Sequence, residues 1–548
     1  MSRKFALVAT LVLVLSMVLS SCKPAEKLAT SINLRHGTEP PTLDPNVAED
    51  TTSIDCTNML FMGLTKLDIE TSETKKWLAT EWSVSADGLV WTFKMRKDVF
   101  WWRWDPGTQK AEKKRPVTAQ DIVYSVRRAA NPEIASPYAY VDYIIKGVQE
   151  INTGETTDLT AIGVKAVDDY TIEFTLTQPA GYFSAIAGMW TNNPLPREPI
   201  EEFGDKWTEP GNIWTCGPYF LDSWEHDSKQ VMKKNPQWFD AKNVTIETVN
   251  WAIVVEDSTA MAMYENGELD WTPSPPLEDM DRIKADPVLS KELYIGPTPC
   301  TYYYGFNVTK PPFDNVKVRQ AFSYAFDRQK LIDTVTKGEQ KPAHSFACAG
   351  IFGSPAEDPK FPGIKFDPAK AKALLAEAGY PDGKGLPEIT LMFNTSQGHQ
   401  KIAEYAQATW KENLGVEVKL ANQEWAVYLK TTDEDSPQIW RMGWCQDYPD
   451  ENNWVLEVFH PTKSTNRPKW SGPSADEFAR ITEEAAASSD PKKRTELYFQ
   501  AEKILTVDQA VIIPIYYYTA LQMTKPYVER TYSKAGHQEF WYWKVKAH

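Results

Sequence analysis

Strand-like and helix-like stretches alternate along most of this chain, and that alternation constrains its fold more than any other feature. Val90–Met95 (VWTFKM) alternates apolar and polar residues, as a half-buried strand does. Thr118-Ala-Gln-Asp121 is a capping box, so a helix is expected from there to about Ala130. Residues 171–177 (TIEFTLT) repeat the two-residue period of a strand. Within 315–335, Val318, Ala321, Phe322 and Ala325 recur at i, i+3, i+4 and i+7, the buried stripe of a helix. Asp367-Pro368 caps and starts another helix, which Gly379 ends. A strand at 389–393, a helix at 401–414 stopped by Gly415, and a strand at 416–420 follow. The alternation is most regular after residue 300, so an α/β domain with a mixed sheet is expected there. At 548 residues the chain is too long for one core, and two or three domains are expected. No internal repeat or low-complexity linker separates them, so ordinary strands should serve as hinges.

The first residues say where the chain folds. Arg3 and Lys4 precede an apolar run, residues 5–19, broken only by Thr10 and Ser16. A membrane span needs about 20 apolar residues. The shorter run has the length and flanks of a secretory signal covering residues 1–21. It closes on Leu19-Ser20-Ser21-Cys22, with the small residues that the bacterial lipoprotein peptidase requires before a cysteine. Cys22 is the expected lipidation site, and several acyl chains on it anchor stably where one is marginal. A plain signal peptide with a chance cysteine is the alternative. Residues 22–29 read as a polar tether. The protein is therefore expected to be exported and membrane-anchored, facing the periplasm or the cell exterior.

Composition removes other roles. A net charge of −15 disfavours nucleic acid and anionic lipid as partners, since both need a cationic face. The 21 Trp and 24 Tyr suit either large cores or a cleft that stacks on its ligand. Besides Cys22, five cysteines remain: Cys56, Cys216, Cys300, Cys348 and Cys445. None forms a CxxC pair, an exported chain can form disulfides, and an odd number leaves at least one thiol free. No HExxH, GxSxG, GxGxxG or GxxxxGK[ST] occurs. Neither a metal nor a cofactor is implied, and the prior for an enzyme is low.

From about Gly37 onward, several stretches resemble the oligopeptide-binding proteins of bacterial ABC importers, within the peptide/nickel class of solute-binding proteins (family 5). Carriers shared across the whole class are Gly37-Thr-Glu-Pro-Pro-Thr-Leu-Asp-Pro45 and Pro311-Pro-Phe-Asp-Asn-Val-Lys-Val-Arg319 through Asp327-Arg328, and Ser136-Pro-Tyr138, Phe203-Gly-Asp-Lys-Trp207 and Pro514-Ile-Tyr-Tyr-Tyr518 also carry the resemblance. Cys300-Thr-Tyr-Tyr-Tyr304, Asn422-Gln-Glu-Trp425 and Gly443-Trp-Cys-Gln-Asp-Tyr448 are more specific to the oligopeptide branch. The resemblance implies an α/β, two-lobed periplasmic-binding-protein-like fold (class II type) with three domains and mixed sheets. Domain I would combine 30–61, 198–299 and 515–548, domain II would be 62–197, and domain III 300–514. It further implies a monomer that captures short peptides between two lobes and delivers them to a permease driven by an ATPase. The same fold around an oligosaccharide or another solute, and a surface adhesin or sensor role, are the alternatives.

The resemblance also assigns roles. Asp447 matches the carboxylate that receives a peptide's α-ammonium. Cys300 and Cys445 match a disulfide pair that would fix the recognition strand, while Cys56, Cys216 and Cys348 have no counterpart. Gly443, Trp444 and Cys445 should lie extended along the peptide main chain, with Glu49 and Thr51 flanking the other edge. Trp425 and Trp444 would wall side-chain pockets, and Tyr138 would close over the ligand from the smaller lobe. His399 and Arg441 match positions that receive the peptide carboxylate, with Asn394, Tyr304 and Tyr518 as further contacts. A third cation of the family aligns with Thr432, where Lys430 is the possible substitute, and Thr298 replaces a tyrosine. Arg319, Asp327 and Arg328 read as structural: a helix end and its ion pairs.

Overall fold

The computed structural model describes residues 28–548, so the expected leader and Cys22 lie outside the described residues. The chain enters through β1 (Ser31–His36) and α1 (Thr51–Leu60). A four-stranded antiparallel sheet follows, built from β2 (Ala79–Val84), β3 (Val90–Met95), β4 (Val164–Asp168) and β5 (Thr171–Thr175), in the order β2-β3-β5-β4. Helix α2 (Ala119–Ala130) sits between β3 and β5 in the chain and starts on the expected capping box, with Thr118 and Asp121 bonding each other's backbone. Its apolar stripe is buried, which is what stabilises a helix of this length.

The main sheet has eleven strands. Its first half contains β6 (Tyr219–Glu225), β7 (Lys229–Lys234), β8 (Thr248–Ile253), β9 (Trp271–Pro273) and the long β10 (Leu293–Phe306). Helices α3 (Val316–Tyr324) and α4 (Pro368–Glu377) lead into β11 (Ile389–Asn394), α5 (Gln397–Leu414), β12 (Val418–Gln423), α6 (Trp425–Asp435) and β13 (Ile439–Cys445). The last long strand is β14 (Ile512–Thr524). The order β6-β7-β8-β1-β9-β14-β10-β13-β11-β12 mixes parallel and antiparallel pairs, and 341–342 adds to β14. The fold is thus α/β with mixed sheets, as expected. β10 and β14, antiparallel over most of their length, join the two halves of the sheet.

Two expectations change. The helix read over 315–335 is interrupted: α3 ends at Tyr324, Asp327 caps a new turn at Arg328–Leu331, and a π-helical turn follows. The apolar stripe continues across the break, so periodicity alone could not reveal it. Arg319 and Arg328 are structural, but they bind backbone carbonyls in place of ion pairs: Arg319 those of Gln509 and Phe313, Arg328 that of Pro514. They tie the helical layer to the chain entering β14.

Candidate functional site

A cavity of about 600 Å³ lies between the segment carrying the small sheet and the main sheet, within the range of about 300–1,000 Å³ typical of small-ligand sites. Its floor is β13. That strand pairs fully with β10 on one side, placing Cys300 opposite Cys445 and Tyr302 opposite Gly443. On its other side it pairs with β11 only at Ile439 and Trp440. From Met442 to Cys445 no second strand covers that edge, and all four residues line the cleft. The Cys300–Cys445 disulfide forms, with Cα atoms 4.0 Å apart, and it fastens the strand to β10 at the far end of that uncovered stretch. Cys56, Cys216 and Cys348 are free and buried.

Asp447 lies just past the end of β13. Asn453 holds it twice: the Asp447 N–H donates to Asn453 Oδ1 at 2.8 Å, and Asn453 Nδ2 donates to Asp447 Oδ2 at 2.8 Å. Tyr138 donates to the same oxygen at 3.4 Å. Asn453 is fixed in turn by Glu457, which accepts its amide at 2.8 Å and also accepts the Tyr448 hydroxyl. No cation pairs with Asp447 among the described residues. Burial pushes its carboxyl up to about 7, with the Asn453 and Tyr138 donors pulling the other way. This is a carboxylate held in place and lacking a counter-charge.

Arg441 is the opposite case. It is buried, donates to Asn394 Oδ1 at 3.0 Å and to the Tyr518 hydroxyl, and lies 4.6 Å from the centre of the Tyr302 ring. No carboxylate pairs with it among the described residues, and its Nε has no hydrogen-bond partner. His399 lines the same wall, but burial and the neighbouring Arg441 hold it neutral, far below the usual imidazole range. Of the two residues expected to receive a carboxylate, only Arg441 therefore carries charge. Gly443 lies between Arg441 and Cys445, where an added Cβ would come within 3.2 Å of the Tyr518 hydroxyl.

The remaining expected residues divide. Trp444 and Tyr138 stack with centroids 6.4 Å apart and planes 6° apart, and both line the cleft. Trp425 lines it from the first turn of α6. Glu49 and Thr51 line it too, but they are no strand edge: Asp50 between them caps α1, and Thr51 is that helix's first residue. Glu49 is held by Arg467 at 3.1 Å. Tyr304 is a correction. Along β10, Tyr302 and Tyr304 point into one core, where Tyr304 packs on Phe326 and Trp410, fully buried and away from the cleft. Thr432 is also fully buried, donating to Leu429 O, and Lys430 is exposed and pairs with Glu434. Lys430 therefore does not replace the missing cation. Asn453, Glu457 and Arg467 were not legible in the sequence. Asn453 is six residues from Asp447, and only the turn after β13 brings the two together.

A closed cleft with an uncovered strand edge, flanked by two unpaired charges of opposite sign, is the architecture of a solute-binding protein. The description "bacterial extracellular solute-binding proteins, family 5, middle" matches residues 73–466, and the chain belongs to that family. It is 36% identical to the periplasmic oligopeptide-binding protein OppA of Escherichia coli over 498 residues, 90% of this chain and 88% of that one. Among solved structures it resembles the E. coli murein tripeptide binding protein MppA, with a TM-score of 0.85 and 30% identity over 95% of this chain and all of that one. Against an unliganded open form of MppA the TM-score is 0.64 at 30% identity, covering 96% and 99% of the two chains. The Haemophilus influenzae OppA complex with the peptide RPPGFSPFR gives 0.84 at 28% identity, covering 95% and 100%. The arrangement described here thus departs from that open form, and in it Tyr138 reaches Asp447 across the cleft.

Proposed function

We propose that this protein captures short peptides between its lobes and hands them to a membrane permease powered by an ATPase. The observation that carries the reading is the uncovered edge of β13 with Asp447 at one end and Arg441 at the other. The peptide lies along that edge as an added strand, antiparallel to β13, its ammonium on Asp447 and its carboxylate near Arg441. Main-chain pairing reads no side chain, so specificity is broad. Residues 441 and 447 are about 20 Å apart along extended backbone. An extended peptide covers about 3.3–3.6 Å per residue, and the long Arg441 side chain shortens the gap, which suits roughly three to five residues. An oligosaccharide would use the aromatic walls but leave both buried charges unpaired, which is costly.

The lobes correspond to the three domains expected from the sequence, with 62–197 as the smaller one. Cys22 carries the lipid that keeps the protein at the membrane. Calorimetry with a pooled tri- to pentapeptide library, on the native protein and on Asp447→Ala, tests the reading. Loss of binding by about a hundredfold or more is expected, as for a buried charge left without its partner. Undiminished binding by the variant contradicts it.

A further inference from the structure

Six carboxylates and four cations line the cleft among the described residues. Three of the cations are occupied: Arg35 by Asp257 at 2.7 Å, Lys66 by Glu539, and Arg467 by Glu49 at 3.1 Å. On the reading above, Arg441 and Asp447 receive the two ends of the ligand. That leaves Asp50 and Asp55. Asp50 has a structural role through Oδ1, which accepts the N–H groups of Thr52 and Ser53 as the cap of α1. Its Oδ2 is buried without a hydrogen bond of ordinary geometry, with the Trp425 indole as its polar neighbour.

Asp55 has no such role. It stands too far into α1 to cap it. Thr51, Ile54, Asp55 and Asn58 all line the cleft, and their i, i+3, i+4, i+7 spacing makes them one face of the helix. Neither the Asp55 carboxylate nor the Asn58 amide has a hydrogen-bond or ion-pair partner among the described residues. Arg35 is not free to reach them, since it is held by Val254 O, Val255 O and Pro273 O as well as by Asp257. Burial and nearby Asp50 push the Asp55 carboxyl up to about 8, as expected where no cation offsets them. A partnerless acid in a water-poor cleft is costly, and a cation that arrives with the ligand relieves that cost.

We propose that this face of α1, centred on Asp55 and Asn58, is a subsite for a cationic peptide side chain, so that the protein prefers peptides with a lysine or arginine at the position lying against it. The inference rests on the peptide reading above. A lysine suits the site because its flexible stem carries a compact charge with three donors.

The test is calorimetry with an alanine tetrapeptide and its variants bearing lysine or norleucine at each position in turn. Norleucine keeps the lysine stem and lacks the ammonium. At one position lysine should bind at least about tenfold more tightly than norleucine, the usual scale of a charged hydrogen bond. Asp55→Asn should abolish that discrimination. Equal binding of lysine and norleucine by the native protein at every position overturns the subsite and needs no variant. A lysine advantage that survives Asp55→Asn overturns it as well. Failure of the alanine tetrapeptide itself to bind would instead remove the peptide reading on which the subsite depends.

Discussion

Asp447 is costly to keep without a ligand. Burial raises its pKa in the fold to about 7, well above that of a free aspartate, near 3.9, so it is the weaker acid. Two consequences have definite signs. Ammonium binding needs the carboxylate, so peptide affinity should fall below pH 7, approaching about tenfold per unit. It should also fall above about pH 8, where a peptide's own amine loses its proton. A titration by calorimetry from pH 5 to 9 should therefore show a maximum near 7–8, and a flat profile would contradict the assignment. Because the folded value is raised, this group adds stability as pH falls from 7 toward 4 and loses it as pH rises. Asp447→Asn should flatten that slope in thermal melts of the ligand-free protein, stabilising it at pH 8 by about 1–3 kcal/mol. Asp447 itself could be singled out as a cleft residue from the GWCxDY segment. Its supports, Asn453 and Glu457, could not, because hydrogen-bond partners across a turn leave no periodic signal.

At the scale of elements, β13 is the working part, and the disulfide and α5 hold its neighbours in place. Cys300–Cys445 closes a loop with a sequence separation of 145. The chain-entropy account puts removal of such a bridge at about 4–5 kcal/mol. A Cys300→Ser, Cys445→Ser double variant should lose stability on that scale in urea titrations, and an unchanged midpoint would show that the bridge is idle. Ser396 caps α5, accepting the His399 N–H, and so fixes the turn that carries His399. Ser396→Ala should cost about 1 kcal/mol. Regular elements could be read in the sequence where a local signal existed: the Thr118 capping box, the alternation of β3, the Asp367-Pro368 start of α4. Uncovered edges were different. Nothing local marks that β11 leaves β13 after Trp440, and nothing local separates Tyr304 in the core from Tyr518 in the cleft. Both belong to similar tyrosine-rich strands, and only the pairing of β10 with β14 decides which face each one takes.

In the whole molecule, closure is what turns these parts into a site. Beyond the cleft itself, Tyr182 from the segment of the small sheet stacks on Tyr448, with centroids 5.3 Å apart and planes 11° apart, and the Arg494 guanidinium lies 5.4 Å from the Tyr182 ring. Neither tyrosine lines the cavity, and the pair joins the segment of the small sheet to the turn after β13. An aromatic pair of this kind contributes about 0.5–1.5 kcal/mol, so Tyr182→Ala should weaken peptide binding by roughly two- to tenfold, mainly through faster release. Stopped-flow dissociation would show it. The central claim is that Asp447 holds the ammonium of a peptide laid along β13, and a four-way calorimetric comparison tests it most directly. One tetrapeptide, free or N-acetylated, is titrated into the native protein and into Asp447→Asn. Acetylation should cost the native protein about a hundredfold or more and the variant almost nothing. An equal loss on acetylation in both proteins would contradict the assignment.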